Sequence, residues 1–248
     1  MLTRRELLGF LGGSAAAFLA GCWQGVASQS TQPSIQSSSE AVTLDPCVVR
    51  PQQSEGPFFV EERLNRSDIR SDLSDGLIRA GVLLQLTFRV LQLRDRRCTP
   101  LSDAIVDLWH CDAEGRYSNA DSLQGNTSGQ QFLRGYQVTD AQGLAQFVTI
   151  FPGSYPGRAV HIHFKVRSDR IRSNQASNQL YEFTSQLYFD DAITEAVLAR
   201  PPYTQGGAWT SNRRDGLFQG GGEQLLLDLA DFPGGFVGEF PIALDMDA

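Results

Sequence analysis

Gly153-Ser154-Tyr155-Pro156-Gly157-Arg158-Ala159-Val160-His161-Ile162-His163-Phe164 opens as a turn and ends as a strand. Its glycines and prolines bend the chain and present Tyr155 and Arg158. An alternating run follows. Successive side chains of an extended strand point to opposite faces, so His161 and His163 share one face while Val160, Ile162, Phe164 and Val166 share the other. Two of the three histidines in the chain thus stand side by side on a strand with an apolar back. A metal site is the first hypothesis for such a pair, and a satisfied polar pair is the plain alternative.

The same alternation recurs on either side. In Val82 to Val90 the apolar set Val82, Leu84, Leu86, Phe88 and Val90 interleaves with Gln85, Thr87 and Arg89, the mark of a half-buried strand. Ala104 to Cys111 reads as a further strand. Tyr136 to Thr139 and Leu144 to Phe151, separated by Asp140-Ala141-Gln142-Gly143, read as a hairpin. Phe183 to Phe189, Gln224 to Leu229 and Gly235 to Leu244 complete the set. One helix is expected from Ala192 to Ala199, capped by Asp190 or Asp191 and stopped by Pro201. Many short strands with turn signals between them predict an all-β fold, an antiparallel β-sandwich with one short helix.

At 248 residues with 41% hydrophobic and 10% aromatic content, the chain can bury a core. A formal net charge of -7 argues against a nucleic-acid partner, which would require a basic surface to neutralise phosphates. Neither a G-x-G-x-x-G, a P-loop nor a G-x-S-x-G is present, so dinucleotide, triphosphate and serine-hydrolase readings have no support. Thr3-Arg4-Arg5-Glu6-Leu7-Leu8 resembles a twin-arginine export signal, and Leu19-Ala20-Gly21-Cys22 matches a lipobox. Residues 1–21 are accordingly expected to be a removable signal, with membrane attachment by lipid on Cys22 at the cell envelope. A plain cleaved signal is the alternative. Residues 22–44, rich in Gln, Ser, Thr and Ala, read as a flexible tether, and 45–248 as one domain. Within it, Asp45 to Leu77 reads as an ordered arm laid across the rest. Of Cys47, Cys98 and Cys111, two are expected to pair in an oxidising compartment. Cys47 with Cys98 is the favoured pair, against the alternative that all three stay reduced.

Two histidines cannot hold a catalytic ion alone, and carboxylates are few nearby. Tyrosines are not. Tyr155 lies six residues before His161, and Tyr117 lies just past the strand ending Trp109-His110-Cys111. Phenolate is a hard oxygen donor, and ferric iron is a hard, highly charged ion that lowers the pKa of an oxygen acid it binds. Tyr with His therefore points to non-haem Fe(III). His110 reads as structural.

Four motifs in one order strengthen this: Glu55-Gly56-Pro57-Phe58-Phe59, Trp109 to Ser118, Leu133 to Asp140, and Phe151 to His163. Together they resemble the intradiol ring-cleavage dioxygenases, the protocatechuate and catechol 1,2-dioxygenase-like group, and especially its exported single-domain members. The resemblance covers roughly Cys47 to Phe240 and implies a transthyretin- or immunoglobulin-like sandwich. It implies Fe(III) held by Tyr117, Tyr155, His161 and His163, with Tyr155 the ligand that leaves when substrate arrives. It also implies that Arg158 stands beside the substrate and that Gln186 supports the site. The expected reaction cleaves a catechol or hydroxyquinol between its hydroxyl-bearing carbons with O2 to give a muconate-type diacid. The Phe58-Phe59 pair reads equally as core or as pocket wall, and Arg158 could instead bridge a surface carboxylate. The competing functional class is a lipid-anchored binding module of the same fold that has lost catalysis.

Overall fold

A computed structural model describes residues 47–169, 180–203 and 209–245. The expected signal, lipobox Cys22 and tether lie outside these described residues. Eleven strands are present among them: β1 (Leu83–Arg94), β2 (Arg97–Pro100), β3 (Ile105–Trp109), β4 (Asp121–Ser122), β5 (Gly125–Asn126), β6 (Arg134–Val138), β7 (Leu144–Ile150), β8 (His161–Ser168), β9 (Tyr181–Tyr188), β10 (Leu229–Phe232) and β11 (Gly235–Asp245). One sheet runs β10-β11-β1, with β2 and β7 both paired along the far edge of β1; the other runs β6-β3-β8-β9. The sandwich expected from the alternation is the observed architecture. One pairing departs from antiparallel: β1 and β11 are parallel, from Leu83 opposite Gly235 to Leu93 opposite Asp245.

The core lies between the sheets. Leu84, Leu86, Phe88 and Val90 of β1 join Phe240 and Ile242 of β11 from one side, and Val106, Leu108, Ile162, Phe164 and Val166 from the other. Phe88 sits at the centre, with ring centroids 5.2 Å from Phe164, 5.9 Å from Phe240 and 6.1 Å from Phe147. Fully burying one such side chain stabilises the fold by about 1.5–3 kcal/mol. Ile162, Phe164 and Val166 thus fill the core, which leaves His161 and His163 on the outward face of their sheet.

Helix α1 (Asp191–Leu198) forms where expected, and Asp190 is its cap: the side chain accepts from the backbone N–H groups of Ala192 and Ile193. A second, shorter helix, α2 (Gly216–Gln219), was not expected; Asp215 caps it. The expected Gln224–Leu229 strand is instead a 3-10 turn over Gly222–Leu225 followed by a single bridge from Leu226 to Tyr188. Three successive leucines lack the alternation of a strand, and here Leu225 and Leu227 are buried without forming one.

The expected hairpin is also corrected. Asp140 closes the turn, its carboxylate accepting from Gln142 N–H and Leu144 N–H at 2.9 Å each, but the flanking strands part into different sheets. β6 pairs β3, while β7 pairs β1. The arm occupies the intervening space. Tyr136 N–H donates to Leu64 O at 2.8 Å, and Val148 N–H donates to Ser67 O at 2.8 Å, so residues 64–69 bond both strands where they would otherwise meet.

The remainder of the arm behaves as expected and is fastened over the outward face of β8. Cys47 is disulfide-bonded to Cys98, Val49 bridges Ala243, and Gln53 N–H donates to Thr184 O. Glu55 pairs with Lys165, and Glu61 pairs with Arg167 at 2.9 Å. Lys165 and Arg167 continue the face that begins with His161 and His163, so the arm covers the histidine side of the sheet and both faces of β8 become buried.

Candidate metal centre

Tyr117 and Tyr155 are brought together by two loops in close backbone contact. Gly153 N–H donates to Asp112 O at 3.1 Å, and the Cys111 thiol donates to Gly153 O at 3.4 Å. A Cβ on Gly153 would lie 2.5 Å from both Asp112 O and Ala113 O. Gly115, at φ +82°, leaves no room either, since a Cβ there would lie 2.4 Å from Ser154 O and 3.3 Å from Tyr155 Cβ. Glycine at both positions lets the Asp112–Tyr117 turn and the Gly153–Tyr155 turn pack together, which sets the two phenols side by side.

Their hydroxyls converge on one imidazole nitrogen. His161 Nε2 lies 3.0 Å from His163 Nε2, 3.0 Å from Tyr155 Oη and 3.4 Å from Tyr117 Oη, and Arg158 Nη1 approaches to 3.4 Å. His161 Nδ1–H donates to Ala159 O at 2.6 Å, which fixes the tautomer and leaves the Nε2 lone pair free to accept. Around it stand more polar atoms than one lone pair can satisfy. Burial, then the nearby Arg158 charge, pushes the His161 pKa down to about 3, and burial holds His163 well below the usual histidine range. Burial likewise raises the Tyr117 hydroxyl far above its ordinary value and Tyr155 to about 12. Two neutral imidazoles and two phenols thus crowd one point inside the protein.

A cation fits there. Among the described residues no three His, Cys, Asp or Glu side chains come together, so a metal must draw on a fourth donor type, and the phenols supply it. Two nitrogens and two hard oxygens suit a ferric ion, whose charge inverts the local acid–base order and favours phenolate. All four predicted ligands are therefore in one place.

Aromatic rings enclose the point. Trp109 stacks on His163 with centroids 5.1 Å apart and planes 6° apart, and Phe58 stacks on Tyr117 at 4.4 Å. Phe59 packs against Trp109 at 4.9 Å, so the Phe58-Phe59 pair forms a wall beside the site. His110 stands apart from it: its ring nitrogens bond Cys111 O and Thr149 Oγ1, the structural role expected.

Arg158 reaches the site and is held by several partners. Nη2 donates to Gln186 Oε1 and, at 3.3 Å, to Tyr188 Oη, and Nε donates to Asp215 Oδ2 at 3.0 Å. Gln186 in turn donates to Ser54 O at 2.8 Å, and Tyr188 to Gln53 Oε1 at 2.8 Å, tying the network to the arm. Arg158 does bridge a carboxylate, but a buried one. Sequence reasoning missed Tyr188 and Asp215. Tyr188 was within reach of the period-2 rule, two residues after Gln186 on one strand; Asp215 is 57 residues from Arg158, and no local pattern connects them.

Comparison with known proteins agrees with this geometry. A family model described as "Dioxygenase" matches residues 54–205, which include every predicted site residue and stop short of Asp215. The protocatechuate 3,4-dioxygenase beta chain of Burkholderia cepacia is 31% identical over 134 residues, 51% of this chain and 51% of that one. A chlorocatechol 1,2-dioxygenase of a Pseudomonas species is 29% identical over 131 residues, covering 44% and 49%. The chain spans about half the length of these curated relatives. An intradiol ring-cleavage dioxygenase from Tetranychus urticae superposes with a TM-score of 0.66 at 28% identity, over 81% of this chain and 96% of that one. On the matched motifs, the fold and the convergent tyrosine–histidine cluster, the chain belongs to the intradiol ring-cleavage dioxygenase family.

Proposed function

We propose that this chain is a non-haem Fe(III) dioxygenase that cleaves a catechol or hydroxyquinol between the two hydroxyl-bearing carbons with O2, yielding a muconate-type dicarboxylic acid. The observation that carries the reading is the convergence of both phenols and His163 within 3.4 Å of His161 Nε2. When bound by Tyr117, Tyr155, His161 and His163, Fe(III) supplies a Lewis-acidic centre able to chelate the two catechol oxygens and bring the ring together with O2.

The chain's own groups then divide the work. Tyr117 is fully buried and stacked under Phe58, whereas Tyr155 is partly exposed. Tyr155 is therefore the phenol with open space beside it. Burial, which pushes the pKa of the free group to about 12, keeps it a neutral phenol without the metal. As the phenolate that Fe(III) favours, its oxygen would be the group placed to take a proton from a substrate hydroxyl. Arg158 places a fixed positive charge next to the ligands, where negative charge on a deprotonated catechol develops. Gln186 and Tyr188 hold the end of the guanidinium that is not used for Asp215. Trp109, Phe58 and Phe59 keep water from the histidines and from Tyr117.

The competing binding-module reading is disfavoured because a site without iron has no use for two phenols aimed at two neutral imidazoles. Oxygen uptake by iron-loaded protein against a panel of catechols, with product spectra that separate intradiol from extradiol cleavage, tests the proposal. The loaded protein should be wine-red through tyrosinate-to-iron absorption. Protein that stays colourless, binds no iron and consumes no O2 with any catechol is the binding module.

Export and lipid attachment at Cys22 belong to the same proposal and rest on residues 1–22; the Cys47–Cys98 disulfide supports an oxidising compartment. Expressed in a bacterial host, the full chain should partition with membranes, and Cys22→Ser should move it to the soluble fraction. Unchanged partitioning of that variant would remove the lipid anchor from the proposal.

A further inference from the structure

We infer that Asp215 is a positioning residue that fixes Arg158 in its substrate-facing orientation. The inference rests on the role given to Arg158 above, and it concerns a residue beyond the stretch matched by the family model.

Asp215 is almost fully buried and serves three donors at once. Oδ2 accepts from Arg158 Nε at 3.0 Å and from Ala159 N–H at 2.9 Å, while Oδ1 accepts from Leu217 N–H at 2.8 Å as the cap of α2. A carboxylate has acceptor capacity on both oxygens, so it satisfies all three. Asparagine cannot, because its amide nitrogen would face one of these N–H groups. The arrangement also locks the peptide that leads into β8: Asp215 holds the N–H of Ala159 while His161 Nδ1–H holds its C=O. With Nε fixed from behind, Nη1 is left facing His161 Nε2 at 3.4 Å, and Nη2 faces Gln186 and Tyr188. Arginine has a rigid fork of five donors, so fixing Nε fixes the direction of both terminal nitrogens. An Arg158 without this anchor keeps its charge and its bonds to Gln186 and Tyr188 but loses the restraint on Nε that sets the direction of Nη1, and its part-exposed side chain has room to tilt. The Asp215 carboxylate bonds Arg158, Ala159 and Leu217 and none of Tyr117, Tyr155, His161 and His163.

The experiment compares Asp215→Ser and Asp215→Asn with the unmodified protein, alone and in an Arg158→Ala background. Serine caps helices as well as aspartate does, so Asp215→Ser retains the start of α2 while removing the partner of Arg158 Nε. Loss of a charge-assisted hydrogen bond should lower kcat about tenfold to a hundredfold, with a smaller change in KM and with iron content and colour retained. In the Arg158→Ala background the same substitutions should have no further effect on kcat. A second readout requires no turnover: the Arg158 Nε–H resonance in 15N-arginine-labelled metal-free protein should exchange slowly, and should broaden or vanish in Asp215→Ser. If the resonance persists, if kcat is unchanged, or if the loss is equally large without Arg158, the positioning role is wrong. A protein inactive on every catechol but showing the expected resonance change would overturn the dioxygenase proposal and leave the anchoring of Arg158 standing.

Discussion

Removing His163 and removing Arg158 should fail in different ways. His163→Ala deletes one of the four donors, so iron content and visible colour should both fall. Arg158→Ala leaves the donors in place; colour should persist while kcat drops about a hundredfold to a thousandfold, the usual cost of one preorganised electrostatic partner. Iron analysis beside oxygen uptake separates the two, and a colourless Arg158→Ala protein would show that Arg158 serves the ligands rather than the substrate. His110 allows a test of acid sensitivity. Burial lowers its pKa from an ordinary 6.5 to about 4. Between those values the unfolded chain binds a proton that the folded chain refuses, so the stability contributed by neutral His110 is complete above pH 6.5 and lost as pH falls toward 4. The loss amounts to about 3 kcal/mol at most. Urea titrations of metal-free protein from pH 7 to pH 4 should show a shallower decline in His110→Gln, even though that variant starts less stable. At this scale the sequence was informative wherever chemistry was local. Tyr155, Arg158, His161 and His163 lie within nine residues; the histidine pair raised a metal site beside the plainer polar pair, and the motif resemblance around all four decided between them. Tyr117 became legible only through its surrounding motif, because the contact that brings it to Tyr155 is made between backbones and leaves no periodic trace.

Glycine decides whether the two tyrosine turns can meet. Gly115→Ala would introduce a Cβ 2.4 Å from Ser154 O at a backbone φ of +82°. The left-handed conformation alone costs about 1–2 kcal/mol for a residue with a side chain, and the collision forces the turns apart. The variant should melt earlier and bind iron more weakly, since separating the turns separates the phenols; tight iron binding with a lowered melting temperature would mean that the turns move without disturbing the site. The strands themselves were largely readable. β1, β3, β8, β9 and β11 fall within a few residues of the alternating runs, and α1 begins at its predicted cap. Alternation reports which face is buried but not which neighbour the backbone bonds. That is why Tyr136–Thr139 and Leu144–Phe151 read as a hairpin when the arm at residues 64–69 takes their facing hydrogen bonds, and why the parallel match of β1 with β11 left no signal in either strand.

For the domain as a whole, the site depends on a segment that is not part of either sheet. The arm starts at the Cys47–Cys98 bond, crosses β11 and β9, and reaches the outward face of β8, where Glu55 meets Lys165 and Phe58 covers Tyr117. It supplies no ligand, yet it buries the histidines and receives hydrogen bonds from Gln186 and Tyr188, the partners of Arg158. The disulfide closes a loop with a sequence separation of 51 residues, for which the chain-entropy model gives a stabilisation of about 4 kcal/mol, with 2–4 kcal/mol the common range. Reducing it, or replacing both cysteines by serine, should therefore lower the melting temperature by several degrees. The arm retains other fastenings downstream, at Gln53 to Thr184, Glu55 to Lys165 and Glu61 to Arg167, so release at Cys47 should not expose the site below the unfolding transition. Iron content and colour at room temperature should be those of the oxidised protein, while the midpoint of colour loss on heating moves down together with global unfolding. Colour lost well before unfolding would show instead that the arm peels from its disulfide end as an independent unit, and that the bond guards the iron directly rather than through the stability of the fold.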